Sequence, residues 1–299
     1  MFYKWRMELR HIRYFLAVAK EGNFTRAAAG LGIGQPPLSL QIKDLEQEVG
    51  ALLFRRVAHG AELTTAGEAF LAVVGGMPDL AERGIRHAQR ASRGEIGLLR
   101  VGFTASSAFN AVVPGTLRSF RRAYPEVELM LEEANTTRLT AALDDGTLDI
   151  AFLRPEGAGS RTLELRLLSE EPMMLAMPTG HAMVGEAEID LAKLAEDSFI
   201  LFPRTNGPVL YDTIIDACRK SGFEPRVDQV APQFSSIVNL VAAELGVSVV
   251  PASMSQLHVA GVAFREIKGQ MPATQLALAY RKGNTSKIAR NFMAVALSN

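Results

Sequence analysis

Two consecutive prolines, Pro36 and Pro37, separate an alanine-rich run from a stretch with helical spacing, and they constrain this chain more than any other feature. Proline lacks a backbone N–H and suits only the first turn of a helix, where that donor would find no intrahelical partner anyway. They mark a helix start. Beyond them Leu38, Ile42, Leu45 and Val49 recur at intervals of four, three and four, which puts them on one stripe facing partner helices. Pro36, Leu40, Lys43 and Gln47 then point outward, with Ser39 on the flank. Upstream, Phe24-Thr-Arg-Ala-Ala-Ala-Gly-Leu31 reads as a preceding helix closed by a short glycine-containing turn. Downstream, Arg55 and Arg56 approach the hairpin turn His59-Gly60, ahead of Leu63-Thr-Thr-Ala-Gly67.

Two helices joined by a short turn and followed by a basic hairpin make a winged helix-turn-helix, whose second helix can lie in the DNA major groove. Arginines placed like Arg55 and Arg56 grip phosphate or enter the minor groove. The competing reading of residues 35–49 is an ordinary amphipathic core helix with a solvated outer face. Gly30, Gly32 and Gly34 also invite comparison with a phosphate-cradling loop, but a dinucleotide fingerprint follows a strand, whereas here a helical run precedes and two prolines follow.

From Met7 to about Arg93 the chain resembles the N-terminal region of LysR-type transcriptional regulators. The matching residues are Leu9-Arg10, Tyr14 to Ala19, Asn23-Phe24-Thr25, Ala27-Ala28, Leu31, Gln35-Pro36, Leu38-Ser39, Gln41-Ile42, Leu45-Glu46, Leu53-Phe54, Arg56, Leu63-Thr64 and Ala66-Gly67. The resemblance implies that Thr25, Gln35, Pro36, Pro37, Ser39, Lys43 and Arg56 lie near DNA. Three positions depart from the family pattern: Gly34 replaces a capping serine, Pro37 an alanine and Leu40 an arginine. An outward leucine donates no hydrogen bond to guanine, but it can pack on a thymine methyl. Residues 1–6 precede the point where the family begins, so Met7 would serve equally as a start.

At 299 residues and 48% hydrophobic content, two domains with sizeable cores are expected. Net charge is zero, but its distribution is uneven: residues 1–93 hold 13 Lys/Arg against 9 Asp/Glu, leaving 19 against 23 elsewhere. Cys218 is the only cysteine, which rules out an intrachain disulfide, and its helical context suits a buried structural thiol. No run approaches the roughly 18 apolar residues of a membrane span, so a cytoplasmic location without membrane contact is expected. The five histidines show no metal-ligand spacing, and neither a Gly-x-Ser-x-Gly elbow nor a Walker loop occurs. Catalysis, metal and cofactors are not expected.

The expected organisation is a winged helix-turn-helix domain over 7–65, a linker and dimerisation helix over 66–93, and an α/β effector domain over 98–299. Phe70, Val74, Met77, Ala81, Ala88 and Ala91 give the linker its seam, and Gly75, Gly76 and Pro78 predict a kink near residues 74–78. Candidate strands at 98–104, 126–133, 148–153, 171–177, 198–202, 226–231, 246–250 and 274–281 alternate with helices, which argues for parallel sheets. The resemblance implies two Rossmann-like lobes similar to type II periplasmic solute-binding proteins. Lobe I is expected over 98–155 and 274–299, lobe II over 166–264, with crossovers near 154–165 and 264–273.

Strand ends and helix N-termini converge on such a cleft. Thr104, Ser106 and Ser107 after the first strand, and Thr136 and Thr137 after the second, offer hydroxyls to an anion, with plain helix capping as the alternative. Arg154 is placed for a bidentate pair with a ligand carboxylate, or else for a structural salt bridge. Across the cleft Phe202-Pro203 and Phe234-Ser235 supply apolar walls and further donors. These residues together favour a small organic anion. The stretch Phe199 to Asp212 resembles the family branch that senses intermediates of aromatic-compound breakdown. The expected reading is a DNA-binding transcriptional regulator controlled by a small-molecule effector. Its expected partners are double-stranded promoter DNA, the effector, further copies in a homodimer or homotetramer, and RNA polymerase. An architectural DNA-binding protein without effector response, and a solute-binding protein, are the competing classes.

Overall fold

The computed structural model describes residues 7–155, 161–269, 273–284 and 286–298. The chain divides into two units, one up to Gln89 and one from Arg90 onward, each with its own core.

The first unit runs α1 (Leu9–Glu21), α2 (Phe24–Leu31), α3 (Gln35–Val49), β1 (Phe54–Val57), β2 (Gly60–Leu63), α4 (Thr65–Val74) and most of α5 (Met77–Ser92), whose end from Arg90 belongs to the second unit. Asn23 starts α2 by accepting the Thr25 and Arg26 amides at 2.9 and 3.0 Å. Gly34 caps α3 without a side-chain bond, and Pro36 and Pro37 fall in its first turn. Leu38, Ile42 and Leu45 are buried against Ile12, Phe15, Val18, Ala27 and Ala28. Val49, expected on the same stripe, is 38% exposed, because it closes the helix at Gly50, past the reach of the covering helices.

β1 and β2 pair antiparallel from Phe54↔Leu63 to Val57↔Gly60 and form a hairpin whose turn is Ala58-His59, one residue before the expected His59-Gly60, because Gly60 already pairs as the first residue of β2. Two hydrogen bonds fix its root: the Glu46 carboxylate on α3 accepts the amides of Leu53 at 2.8 Å and Phe54 at 3.1 Å. A third bond, from the Ala61 amide to the Gly22 carbonyl at 2.8 Å, holds the second strand to the α1–α2 turn.

The linker is interrupted within residues 74–78, where the kink is expected, and the interruption divides it into two helices. α4 stops at Val74 and α5 begins at Met77, with Gly75, still right-handed and bonded to the Leu71 carbonyl, and Gly76 between them, and Pro78 in the first turn of the second helix. Pro78 lacks the N–H that would continue the ladder, which resumes with the Leu80 amide on the Gly76 carbonyl at 3.1 Å. No residue of α5 is buried, and Leu80 and Ile85 stand 60% and 59% exposed.

The second unit continues with β3 (Ile96–Phe103), α6 (Ala105–Ala108), α7 (Val112–Ala123), β4 (Glu126–Glu133), α8 (Thr136–Asp145), β5 (Ile150–Leu153), β6 (Leu163–Glu171), β7 (Met173–Pro178), β8 (Glu188–Ile189), β9 (Ser198–Leu201), α9 (Pro208–Lys220), β10 (Arg226–Val230), α10 (Phe234–Ala242), β11 (Ser248–Pro251), β12 (Val262–Ile267), β13 (Thr274–Arg281) and α11 (Lys287–Ser298). Lobe I is a five-stranded sheet ordered β4-β3-β5-β13-β6, covered by α7 and α11 on one face and α8 on the other. Lobe II holds a four-stranded sheet, β11-β7-β12-β8, and the parallel pair β9-β10, joined through the bridge Phe199↔Val247.

Neither sheet is purely parallel, contrary to the expectation. β13 runs antiparallel to both β5 and β6, and β7 antiparallel to both β11 and β12, because the chain passes between lobes twice and each return strand enters its sheet reversed. The lobe boundary also moves. Residues 166–171, expected in lobe II, belong to β6 in the lobe I sheet, and the chain changes sheets across Pro172 alone. Residues 156–160 and 270–272 of the expected crossovers lie outside the described residues.

Candidate functional site

On the first unit the candidate site is the outer face of α3 with the hairpin beside it. Pro36, Pro37, Leu40, Lys43 and Gln47 are exposed, and Ser39 is half-buried, as the spacing requires. Gln35 donates from Nε2 to the Ser39 hydroxyl at 2.7 Å, so these two side chains are held together one turn apart. Thr25 is exposed at the start of α2. Arg56 is exposed on β1 and makes no ion pair among the described residues. Arg55 differs: its Nε and Nη2 both bond Glu62 across the hairpin, at 3.0 and 2.7 Å, so its charge is partly met within the wing. Behind α3, buried His11 accepts the Glu8 amide at Nδ1, 3.0 Å away. That acceptor leaves the proton on Nε2, which therefore donates to Gln41 Oε1 at 3.1 Å.

A face presented to phosphate responds to added charge. Leu40→Arg is expected to steepen the salt dependence of non-specific DNA binding by about 0.9 in log–log slope for one phosphate newly neutralised, as read by anisotropy titrations at several salt concentrations. An unchanged slope would place Leu40 away from DNA.

On the second unit the lobes enclose a cavity of about 330 Å³. Thr104, Ser106, Thr136, Arg154, Phe202 and Phe234 line it, as expected from the sequence. Ser107, Thr137, Pro203 and Ser235 do not. Ser107 is fully buried and donates to the Thr104 carbonyl at 2.8 Å, while exposed Thr137 donates to the Thr205 carbonyl at 3.2 Å. Pro203 leads into a short 3-10 turn, and Ser235 lies in the first turn of α10, its carbonyl accepting the Asn239 amide group. Capping explains part of the hydroxyl pattern, since Thr104 Oγ1 accepts the Ser107 amide at 3.3 Å.

Arg154 departs most from expectation. Its Nη2 donates to Glu171 Oε2 at 2.9 Å, its Nε to Ser106 Oγ at 3.1 Å and its Nη1 to Thr274 Oγ1 at 3.1 Å, so the guanidinium meets a carboxylate of its own chain. The cause is β6, unread in the sequence as a strand, which ends by delivering Glu171 to the end of β5. Both partners are nearly sealed, at 7% and 6% side-chain exposure. Glu171 Oε1 also accepts the Ser253 amide, and Oε2 accepts from Asn110 at 3.3 Å. Burial pushes the Glu171 carboxyl up, but the Arg154 charge and the Ser253 bonds outweigh it and hold the group below its ordinary value.

Further lining residues are Asn206, Val209 and Leu210, inside the Phe199–Asp212 stretch already singled out, and Thr213, Thr274 and Gln275, which carry no signal in local sequence. Three side-chain bonds span the mouth between lobes. Asn135 Nδ2 donates to Asn206 Oδ1 at 3.2 Å, Thr137 to the Thr205 carbonyl, and Gln233 Nε2 to Glu133 Oε1 at 2.9 Å. Phe202 forms the apolar wall, packed against Phe234 at 5.1 Å and Tyr211 at 6.0 Å between ring centroids. Exposed Arg204, beside this wall, is held outside the cavity lining by a fork to Asp212 at 2.8 and 2.7 Å. Burial pushes the Cys218 thiol up to about 11, with the Glu224 charge adding to it, so it stays protonated and unreactive at neutral pH. Among the described residues there is no cluster that could hold a metal ion, and no helix long and apolar enough to cross a membrane.

A helix-turn-helix unit joined to a two-lobed unit with a cleft defines a ligand-responsive transcriptional regulator. Residues 9–68 match the family model of the bacterial regulatory helix-turn-helix protein of the lysR family, and residues 92–299 match the LysR substrate binding domain. The chain belongs to the LysR family of transcriptional regulators. It is 38% identical to the HTH-type transcriptional regulator BudR of Raoultella terrigena over 96% of this chain and 99% of that one. It is 35% identical to the HTH-type transcriptional regulator AlsR of Bacillus subtilis over 97% and 95% of the respective chains. Among solved structures it superposes on full-length CbnR, crystallised with its target DNA, with a TM-score of 0.85, 29% identity and coverage of 97% and 98%.

Proposed function

We propose that α3 and the β1–β2 wing bind duplex promoter DNA in a dimer or tetramer of this chain, and that a small organic anion in the cleft shifts the regulator between two states. Phe70, Val74 and Met77 of the expected seam pack into the first unit's own core, but Leu80 and Ile85 beside it stand uncovered on α5 and support association between copies. Action on promoter DNA implies a cytoplasmic location and brings the protein beside RNA polymerase.

One observation carries the anionic assignment. The hydroxyl oxygens of Ser106 and Thr274 both accept from Arg154, so their hydrogens turn away from it, that of Ser106 with Thr104 Oγ1 in reach at 3.5 Å, and both residues line the cavity. Arg154 thereby acts as a positioning residue that makes two donors out of ambivalent hydroxyls. With Thr136 at the N-terminus of α8 and the Gln275 amide beside them, the floor is rich in donors, while Phe202 and Phe234 suit a planar unsaturated carboxylate. The effector acts only through its different affinities for the two states.

A thermal-shift screen of organic acids tests this. An acid that fits is expected to raise the melting temperature by roughly 5–10 °C at a hundred times its Kd, a shift lost in Ser106→Ala. Stabilisation by neutral polar compounds and by no acid would overturn the anionic assignment.

A further inference from the structure

We infer that Leu40 reads DNA sequence by packing on the C5-methyl group of a thymine, so that this regulator recognises part of its operator through an apolar contact. The inference rests on the reading of α3 as the groove-facing helix and adds what that helix selects. Leu40 is 58% exposed at the centre of the outer face, although leucine at its neighbours Leu38 and Leu45 is buried. Side chains three and four residues apart share a helix face, so Leu40 adjoins Pro36 and Pro37 on one side and Lys43 and Asp44 on the other. The first two turns therefore present proline, proline and leucine with no cation among them. The whole helix carries a single Lys43 against Asp44, Glu46 and Glu48, so attraction to phosphate falls to other elements, such as the wing with Arg56.

The major-groove floor offers this surface one apolar partner. Guanine, cytosine and adenine present hydrogen-bonding groups there, and burying an aliphatic side chain on them would strand those groups, whereas thymine adds a methyl. Gln35 and Ser39, bonded to each other beside Leu40, keep polar capacity for the adjoining bases. The expected preference is thus for thymine opposite Leu40, flanked by positions read through hydrogen bonds.

The experiment uses the full chain. A preferred operator is selected from a randomised duplex library, and each dT is then replaced singly by dU, which removes only the methyl. Wild type is expected to lose about fourfold in affinity at one dT per half-site, the equivalent of one buried methyl group. Leu40→Ala should bind dT and dU operators equally, and Leu40→Val should retain part of the difference. Every dU replacement being neutral, or equally harmful to wild type and Leu40→Ala, would overturn the inference while leaving DNA binding intact. Failure to select any sequence would instead overturn the groove-facing assignment of α3, and this inference with it.

Discussion

Glu171→Ala is expected to destabilise the effector unit by about 3–5 kcal/mol, read from urea unfolding of the full chain followed by circular dichroism. The variant leaves Arg154 ionised in a site where its side chain is 7% exposed, with Ser106 and Thr274 as its remaining hydrogen-bond partners. An uncompensated buried charge is what makes the loss large. The double variant Arg154→Met with Glu171→Leu should recover most of it, since apolar replacement of a buried pair is often neutral. It should also abolish acid binding in the cleft, because the two hydroxyls lose the donor that turns their hydrogens outward. The pair also shapes the acid limb. The Glu171 pKa is held down in the fold, so its contribution is complete above the ordinary glutamate value of about 4.3 and disappears as pH falls through the lower folded value. Glu171→Gln should flatten stability against pH in that window; an unaltered acid limb would assign the titration to other carboxylates.

Gly60→Val is expected to cripple operator binding while leaving the effector unit's response to ligand intact. Gly60 has φ +154°, and a Cβ built there would lie 2.1 Å from the Gly22 carbonyl oxygen, a backbone atom that also accepts the Ala61 amide. The hairpin must then leave the α1–α2 turn and carry Arg55 and Arg56 with it. The salt slope should fall by about 0.9 for each phosphate the wing releases, and affinity should weaken similarly on all sequences. Retained affinity with an unchanged slope would show that the wing does not reach the DNA.

The first unit was legible because its information is local. Prolines at a helix start and an apolar stripe of period 3.6 each act within a few residues, and Leu38, Ile42 and Leu45 pack as their spacing requires, while the hairpin turn lies one residue before the expected one. The effector unit was legible only where strands are apolar. β5, buried along its length, announces itself; β6, reading Leu-Glu-Leu-Arg-Leu-Leu-Ser-Glu-Glu at a sheet edge, resembles a polar connection. With β6 unread, the partner of Arg154 was invisible, since Glu171 is one acid among neighbours until the sheet brings it to the end of β5. Thr274 and Gln275 were missed for the same reason: their place on the cavity wall depends on strands and turns far apart in sequence.

The single residue between β6 and β7 limits how the lobes respond to a bound molecule. Glu171 ends one sheet and Met173 begins the other, with Pro172 between them, and the proline ring freezes one of the few torsions available there. So short a tether forbids the sheets from sliding past one another at this point and permits rotation about it. Small changes of angle at such a pivot grow with distance from it, so any rotation there displaces chiefly the far ends of the lobes.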